Sequence, residues 1–385
     1  MMAAKASGSR SPSKSRSASP APRRPSKRHR SARSQILTAK RDSAPPRARK
    51  HPPQASHRPT GRHYRITPGR TAIGVGLTAV IVTGILLASG VIGPLSAQSA
   101  VSPPAMAQVV RHGEVSSLQV EKGGAWLTND LTATAQQFNP HDGQLMGRAV
   151  KVPRVPIDSV FGYGKLWVAS VATSTVTPVN PRAEKAGEPI AVGSDPVGLA
   201  AGYGAIWVAS LVAGTVSRID PYTAKVVATV SLPNAPVRIT TGAGSVWATG
   251  QGGVLIRIDP VPQRGSLRYS TLKVGKGPIG IAIGHGAVWV ADTAGNTVTR
   301  IDLSNLKDAT SFKAGYDPEE VAVWHNLLWV ASGTGDTLRA FYPATGRPDG
   351  PALKLPGSPR ELTLGKGALW VATAHRSCVV EILPR

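Results

Sequence analysis

One motif recurs along this chain at nearly constant intervals. It reads Gly-x-Gly-x, an aliphatic residue and then Trp-Val-Ala, as in GYGAIWVAS at residues 202–210. Its seven tryptophans are 40 to 42 residues apart, at Trp126, Trp167, Trp207, Trp247, Trp289, Trp329 and Trp370. A period this regular predicts one supersecondary unit repeated seven times, in which neighbouring units bury each other's faces.

Each repeat contains four short runs of Val, Ile, Thr and Trp, separated by Gly, Pro, Asp and Thr. Runs of this length and composition are typical of strands, and no helical period intervenes. A four-stranded meander repeated seven times predicts an all-β fold, a seven-bladed β-propeller of four-stranded blades. We expect the seven tryptophans to be structural, each filling the wedge between two blades with a large apolar side chain.

Prolines punctuate the repeats and predict where strands begin. The innermost strand of a blade should start at Pro156, Pro196, Pro236, Pro278, Pro318 and Pro359. The last repeat has only three strands before the chain ends, so an unpaired edge would remain. We therefore expect residues 107–113 to close the ring as the outermost strand of the last blade.

Aspartates in the loops are predicted to form turns. Asp220 and Asp259 each precede a proline, as in the first two positions of a type I turn. Asp292 and Asp336 lie in DTAGNT and SGTGDT, where we expect exposed turn residues.

Basic residues are concentrated at the N-terminus. Residues 1–70 contain 19 Lys and Arg but only one acid, giving +18 of the chain's total of +24. This Ser- and Pro-rich segment has few large apolar residues, which predicts a disordered cytoplasmic tail. We expect such a tail to bind anionic lipid. We expect no specific nucleic acid partner, because a disordered segment has no fold that reads bases.

Residues 71–97 are uncharged and apolar over a length that spans a bilayer as one helix. The basic flank predicts a cytoplasmic N-terminus and therefore a single-pass cell-membrane protein with an extracytoplasmic propeller. The alternative is cleavage after the small residues near position 97, giving a secreted protein. Residues 98–106 are then a linker, and residues 107–385 are the propeller.

The repeats resemble those of exported YVTN-type propellers and of virginiamycin B lyase-like propellers. The resemblance rests on Gly-x-Gly-x-[Leu/Ile/Val]-Trp-Val-Ala, on Thr-Val-x-Arg-Ile-Asp-Pro and on a later Val-Gly-x-x-Pro. It implies a Mg²⁺ site of histidines and glutamates after the tryptophan strand. The residues three positions past each tryptophan are Asn129, Ser170, Ser210, Gly250, Asp292, Ser332 and Thr373, none of them glutamate. Two residues further on, only the last blade has a histidine, His375. One histidine without partner carboxylates does not assemble such a site, so we predict no catalytic residue, metal or cofactor.

Charged residues mark the predicted channel mouth. Two positions past the recurring prolines stand Asp158, Arg238, Glu320 and Glu361, and His375 lies close to this ring in sequence. They suit a ligand site, although a channel mouth is also polar simply because it is wet. The sequence favours a non-enzymatic binding, scaffold or sensor domain, with an envelope protein, peptide or glycan as partner. The alternative is a metal-dependent lyase of the virginiamycin B type.

Overall fold

The computed structural model describes residues 106–111, 115–121, 124–140, 142–374 and 378–384. The predicted tail (1–70), the predicted membrane span (71–97) and nearly all of the predicted linker lie outside these ranges, as does His375. Within these ranges, no helix has the length and apolar character needed to cross a bilayer.

The described residues form seven antiparallel sheets, which confirms the seven-bladed all-β propeller. Blade 1 comprises β2 (Ser117–Glu121), β3 (Gly124–Asn129), β4 (Thr134–Phe138) and β5 (Leu145–Lys151). Blade 2 comprises β6 (Pro156–Gly162), β7 (Lys165–Ser170), β8 (Thr175–Asn180), β9 (Lys185–Ala186) and β10 (Ile190–Ala191), with a 3-10 helix at Val171–Thr173. Blade 3 comprises β11 (Pro196–Gly202), β12 (Ala205–Ser210), β13 (Thr215–Asp220) and β14 (Lys225–Ser231).

Blade 4 comprises β15 (Pro236–Gly242), β16 (Ser245–Gly250), β17 (Val254–Ile258) and β18 (Tyr269–Lys273). Blade 5 comprises β19 (Pro278–Gly284), β20 (Ala287–Asp292), β21 (Thr297–Asp302) and β22 (Ala309–Lys313). Blade 6 comprises β23 (Pro318–Trp324), β24 (Leu327–Ser332), β25 (Thr337–Phe341) and β26 (Leu353–Lys354). Blade 7 comprises β27 (Pro359–Gly365), β28 (Ala368–Thr373) and β29 (Cys378–Ile382), completed by β1 (Met106–Arg111).

The outer strand of blade 2 differs from the others because it is split in two. Both β9 and β10 pair with β8. Gly187 and Pro189 lie between them, and a proline has no N–H to donate to a strand ladder. The break therefore follows from local sequence.

The ring closes as the sequence predicts. β1 pairs antiparallel with β29, with Val109 opposite Val380, so the N-terminal strand supplies the fourth strand of the last blade. The innermost strands of blades 2 to 7 all begin at the recurring prolines. The pairing of β1 with β29 removes the unpaired edge that blade 7 would otherwise present.

The seven repeat tryptophans are buried between blades, as expected for a structural role. Each is at most 3% exposed. Trp207 packs with Ile239, Val246 and Ile256 of the next blade, and Trp370 packs across the closure with Leu118 and Phe138 of blade 1. Each large apolar side chain thus joins two neighbouring sheets into one core.

Turn aspartates also behave as predicted, with one correction. Asp220 accepts hydrogen bonds from the N–H groups of Tyr222 and Thr223 at 2.8 and 3.1 Å. Asp292, expected to be exposed, is only 4% exposed. Its carboxylate accepts from the N–H groups of Lys276 and Gly277 at 2.9 and 2.7 Å. It was mistaken for an exposed residue because the loop that covers it lies 15 and 16 residues earlier.

Candidate functional site

The predicted mouth residues occupy equivalent positions on the innermost strands. Asp158, Arg238, Glu320 and Glu361 each lie two residues after the strand's first proline and pair with the residue two positions past the repeat tryptophan. The seventh equivalent position is Ser117, which pairs with Thr128. Sequence reasoning missed Ser117 because blade 1 has no proline to mark it, although its distance from Trp126 would have identified it.

Arg238 and Glu320 form an ion pair across the channel. Arg238 Nε donates to Glu320 Oε1 at 3.0 Å, although blade 5 separates their two blades. Arg238 Nη1 also donates to the carbonyl oxygen of Val197 at 3.1 Å. The Arg238 side chain is 36% exposed and that of Glu320 14%. The guanidinium therefore links blades 3, 4 and 6, and the Arg238 side chain as a whole remains partly exposed.

These two side chains perturb each other's protonation. Burial lowers the pKa of Arg238, but the nearby charges of Glu320 and Asp158 outweigh it and raise that pKa above its ordinary value. Burial raises the pKa of Glu320, and the charge of Arg238 offsets only part of the increase.

Asp158 and Glu361 each accept a hydrogen bond from the backbone of the next blade, a contact that their sequence positions do not predict. Asp158 Oδ2 accepts from the N–H of Leu199 at 2.6 Å, and Glu361 Oε2 accepts from the N–H of Leu118 at 2.7 Å. In both cases the donor belongs to the innermost strand of the next blade. Each carboxylate thus satisfies a backbone donor and joins two blades.

Burial also dominates the protonation of these two carboxyl groups. It raises the pKa of Asp158 to about 6, against the opposing charge of Arg238. It raises the pKa of Glu361 to about 8, and the negative charge of Asp158 adds to that increase. Glu361 also accepts from Gln119 Nε2 at 2.9 Å. Burial therefore favours the protonated form of Glu361 more than that of an exposed glutamate.

All four residues line one small cavity of about 160 Å³, together with Arg360. Ligand pockets usually measure ~300–1,000 Å³, so this cavity has room for an end group and not for a whole ligand. Among the described residues, no three His, Cys, Asp or Glu side chains are placed to hold a metal ion. The arrangement suits charged hydrogen bonding to one polar group.

Solved structures of other propellers superpose on most of the described chain. Virginiamycin B lyase from Staphylococcus aureus superposes with a TM-score of 0.62 at 19% identity, covering 72% of this chain and 99% of the lyase chain. A catalytically inactive variant of that lyase, determined with quinupristin, gives a TM-score of 0.63 at the same identity and coverages.

This chain shares the fold of virginiamycin B lyase. Hydrazine synthase from Kuenenia stuttgartiensis gives a TM-score of 0.60 at 12% identity, covering 70% of this chain and 96% of that one. The WD40 propeller domain of Doa1 gives 0.59 at 11% identity, covering 74% and 98%. No family model and no curated protein sequence matches the chain. Proteins this different in sequence establish the architecture alone, because one fold hosts many functions.

Proposed function

We propose that this protein is a membrane-anchored, extracytoplasmic binding propeller that receives a charged or polar end group of its ligand in the channel cavity. The observation that carries the proposal is the Arg238–Glu320 pair. Its guanidinium bridges non-adjacent blades, and the Arg238 side chain lines the cavity and is 36% exposed. A guanidinium carries five N–H donors, and the bonds to Glu320 and Val197 use two of them.

A non-enzymatic role is supported by how the carboxyl groups are engaged. Asp158 and Glu361 each accept from a backbone N–H of the neighbouring blade, and Glu320 accepts from Arg238. A general base or metal ligand needs an oxygen directed at substrate or metal. We therefore assign no catalytic residue and no cofactor to the channel.

The membrane anchor is supported by charge patterning in the sequence. An uncharged stretch at residues 71–97 follows a segment carrying +18, which favours a cytoplasmic tail beside anionic lipid and an extracytoplasmic propeller. Secretion after cleavage is the alternative. In either case the ligand is an envelope protein, peptide or glycan.

In-cell photocrosslinking tests this proposal. A crosslinking amino acid at position 360, on the cavity wall, should capture a discrete envelope component, and Arg238→Met should reduce the yield. Position 307 is the control because Lys307 is exposed on a turn between β21 and β22. Equal products from both positions, or none from position 360, would contradict binding at the channel.

Protease accessibility tests the topology. Protease added outside intact cells should digest the propeller, and protection of the propeller would contradict an extracytoplasmic position.

A further inference from the structure

A polar cavity lies in blade 4, at the end of the sheet away from the channel mouth. It measures about 340 Å³, within the ~300–1,000 Å³ usual for small-ligand pockets. β15 begins at the channel mouth and ends at the turn that forms one wall, and the end of β17 and the start of β18 form the others. The side chains that line the cavity are two arginines, one aspartate and three hydroxyl residues, namely Arg257, Arg268, Asp259, Ser245, Tyr269 and Ser270.

The arginine of the Arg-Ile-Asp motif pairs with the motif's aspartate in blade 5 but not in blade 4. In blade 5, Arg300 Nη2 donates to Asp302 Oδ2 at 2.8 Å. Arg257 and Asp259 occupy the same two motif positions in blade 4. No ion pair joins them in the part of the chain that the structure describes. The same motif thus neutralises its arginine in one blade and leaves it without a carboxylate partner in the other.

The carboxylate of Asp259 is bonded to other groups. Its Oδ1 accepts from the N–H of Val261 at 2.9 Å, and its Oδ2 accepts from Gln263 Nε2 at 3.1 Å. Arg257 instead donates through Nε to Ser245 Oγ at 2.8 Å, and a guanidinium has five N–H donors. Among the described residues nothing accepts from the two terminal amino groups of Arg257, so they can bond to a ligand.

A second arginine occupies the position where blade 5 has an acid. The N–H of Asp259 donates to the carbonyl oxygen of Arg268 at 2.9 Å. In blade 5 the equivalent bond runs from Asp302 to Asp308 at 3.0 Å. Arg268 is exposed, lines the cavity and forms no ion pair within the described ranges. With two arginines and one aspartate, the lining of the cavity has a positive net charge.

We propose that this cavity binds the phosphate group of a small phosphate ester. Phosphate oxygens accept paired bonds from guanidinium groups, and the hydroxyl groups of Ser245, Tyr269 and Ser270 can donate as well. The cavity is larger than one phosphate group, which leaves room for the esterified part beside the Tyr269 side chain, itself 40% exposed. The site is separate from the channel, so its test leaves the proposed function unaffected.

The indole N–H signal of Trp247 in nuclear magnetic resonance spectra reports on this site, because Arg257 lies over the Trp247 ring at 5.6 Å. The full-length protein in detergent micelles is titrated with millimolar glycerol 3-phosphate, inorganic phosphate or glycerol. Both phosphates should shift the Trp247 signal, assigned by its loss in Trp247→Phe, and glycerol should not. The Trp289 signal should stay in place, because the arginine over its ring is already paired with Asp302.

Each other outcome of the titration counts against the proposal. If neither phosphate shifts the Trp247 signal, the cavity is not a phosphate site. A shift with inorganic phosphate alone would refute the assignment to an ester. An equal shift with glycerol would refute the recognition of an anion.

Calorimetry of two arginine variants provides the matched comparison. Arg268→Met should raise the dissociation constant for glycerol 3-phosphate about tenfold, the equivalent of one charge-assisted hydrogen bond. Its melting temperature should not change, because Arg268 is exposed. Arg300→Met removes an arginine that is paired with Asp302, so it should leave the affinity unchanged. Phosphate bound by the basic N-terminal segment is common to all three proteins. Unchanged affinity in Arg268→Met, or equal losses in both variants, would overturn the assignment.

Discussion

The guanidinium of Arg257 lies over the indole ring of Trp247, with its central carbon 5.6 Å from the ring centroid. The two residues are cross-strand partners on β16 and β17. Arg218 on Trp207 and Arg300 on Trp289 repeat the arrangement at 5.9 and 6.0 Å. The arginine of the Arg-Ile-Asp motif is therefore part of the packing around the tryptophan, which explains why the two recur together.

Replacing Arg257 by Met should destabilise the protein by about 1 kcal/mol. An exposed cation–π contact contributes ~0.5–1 kcal/mol, and the bond from Arg257 Nε to Ser245 Oγ at 2.8 Å is lost as well. Methionine retains much of the aliphatic packing of the arginine stem. Urea unfolding measures the change, and Arg268→Met, at an exposed position without such a contact, should be neutral. A neutral Arg257→Met would contradict the contribution of this pair.

Trp207→Ala should lower the free energy of unfolding by about 3–5 kcal/mol, because a fully buried side chain between two blades leaves a cavity. Differential scanning calorimetry should show a clearly lower melting temperature. Tyr222→Ala, at an 80% exposed side chain, is the control. A Trp207→Ala protein that melts with the wild type would refute the wedge role.

Two truncations test the ring closure. A chain beginning at residue 98 retains β1 and should unfold cooperatively. A chain beginning at residue 115 lacks β1, so one edge of β29 loses its hydrogen-bonding partner strand and is exposed. We expect it to aggregate or to melt at a lower temperature. Equal melting curves for the two chains would show that the pairing of β1 with β29 contributes nothing to stability.

Stability should fall as the pH rises from about 4.5 to about 8, and Glu361 should account for part of the fall. Burial raises its folded-state pKa from 4.5 to about 8. Between these values the folded protein holds a proton that the unfolded chain releases, so the favourable contribution, complete below pH 4.5, is lost progressively. Glu361→Gln cannot ionise and should flatten this part of the curve.

Melting temperatures measured across this range would show the effect. Glu188→Gln is a suitable control, because Glu188 is exposed. A Glu361→Gln curve parallel to the wild type would contradict the assignment of this proton to Glu361.

Local pattern was sufficient for most of the fold. The tryptophan period predicted seven blades, the prolines predicted the first residue of six innermost strands, and the missing last strand predicted the closure by β1. These features depend on strand length and on turn residues within one repeat, which sequence spacing records. The split outer strand of blade 2 was not predicted, because a two-residue strand leaves almost no alternating pattern.

The candidate site was predicted only as a set of positions. Asp158, Arg238, Glu320 and Glu361 do line one cavity, whereas His375 lies outside the described residues. The partners of these side chains were not predictable. Glu361 meets Leu118 across 243 residues, and no local pattern relates two residues that far apart.

The sequence by itself determined the repeated unit, the number of blades and which residue of each unit is buried. Only the tertiary structure decided that Arg238 reaches Glu320 over an intervening blade and that Glu361 meets Leu118 of blade 1. The physical reason is that strands form from short-range periodicity, whereas these contacts depend on ring curvature and on which side chains a neighbouring blade presents.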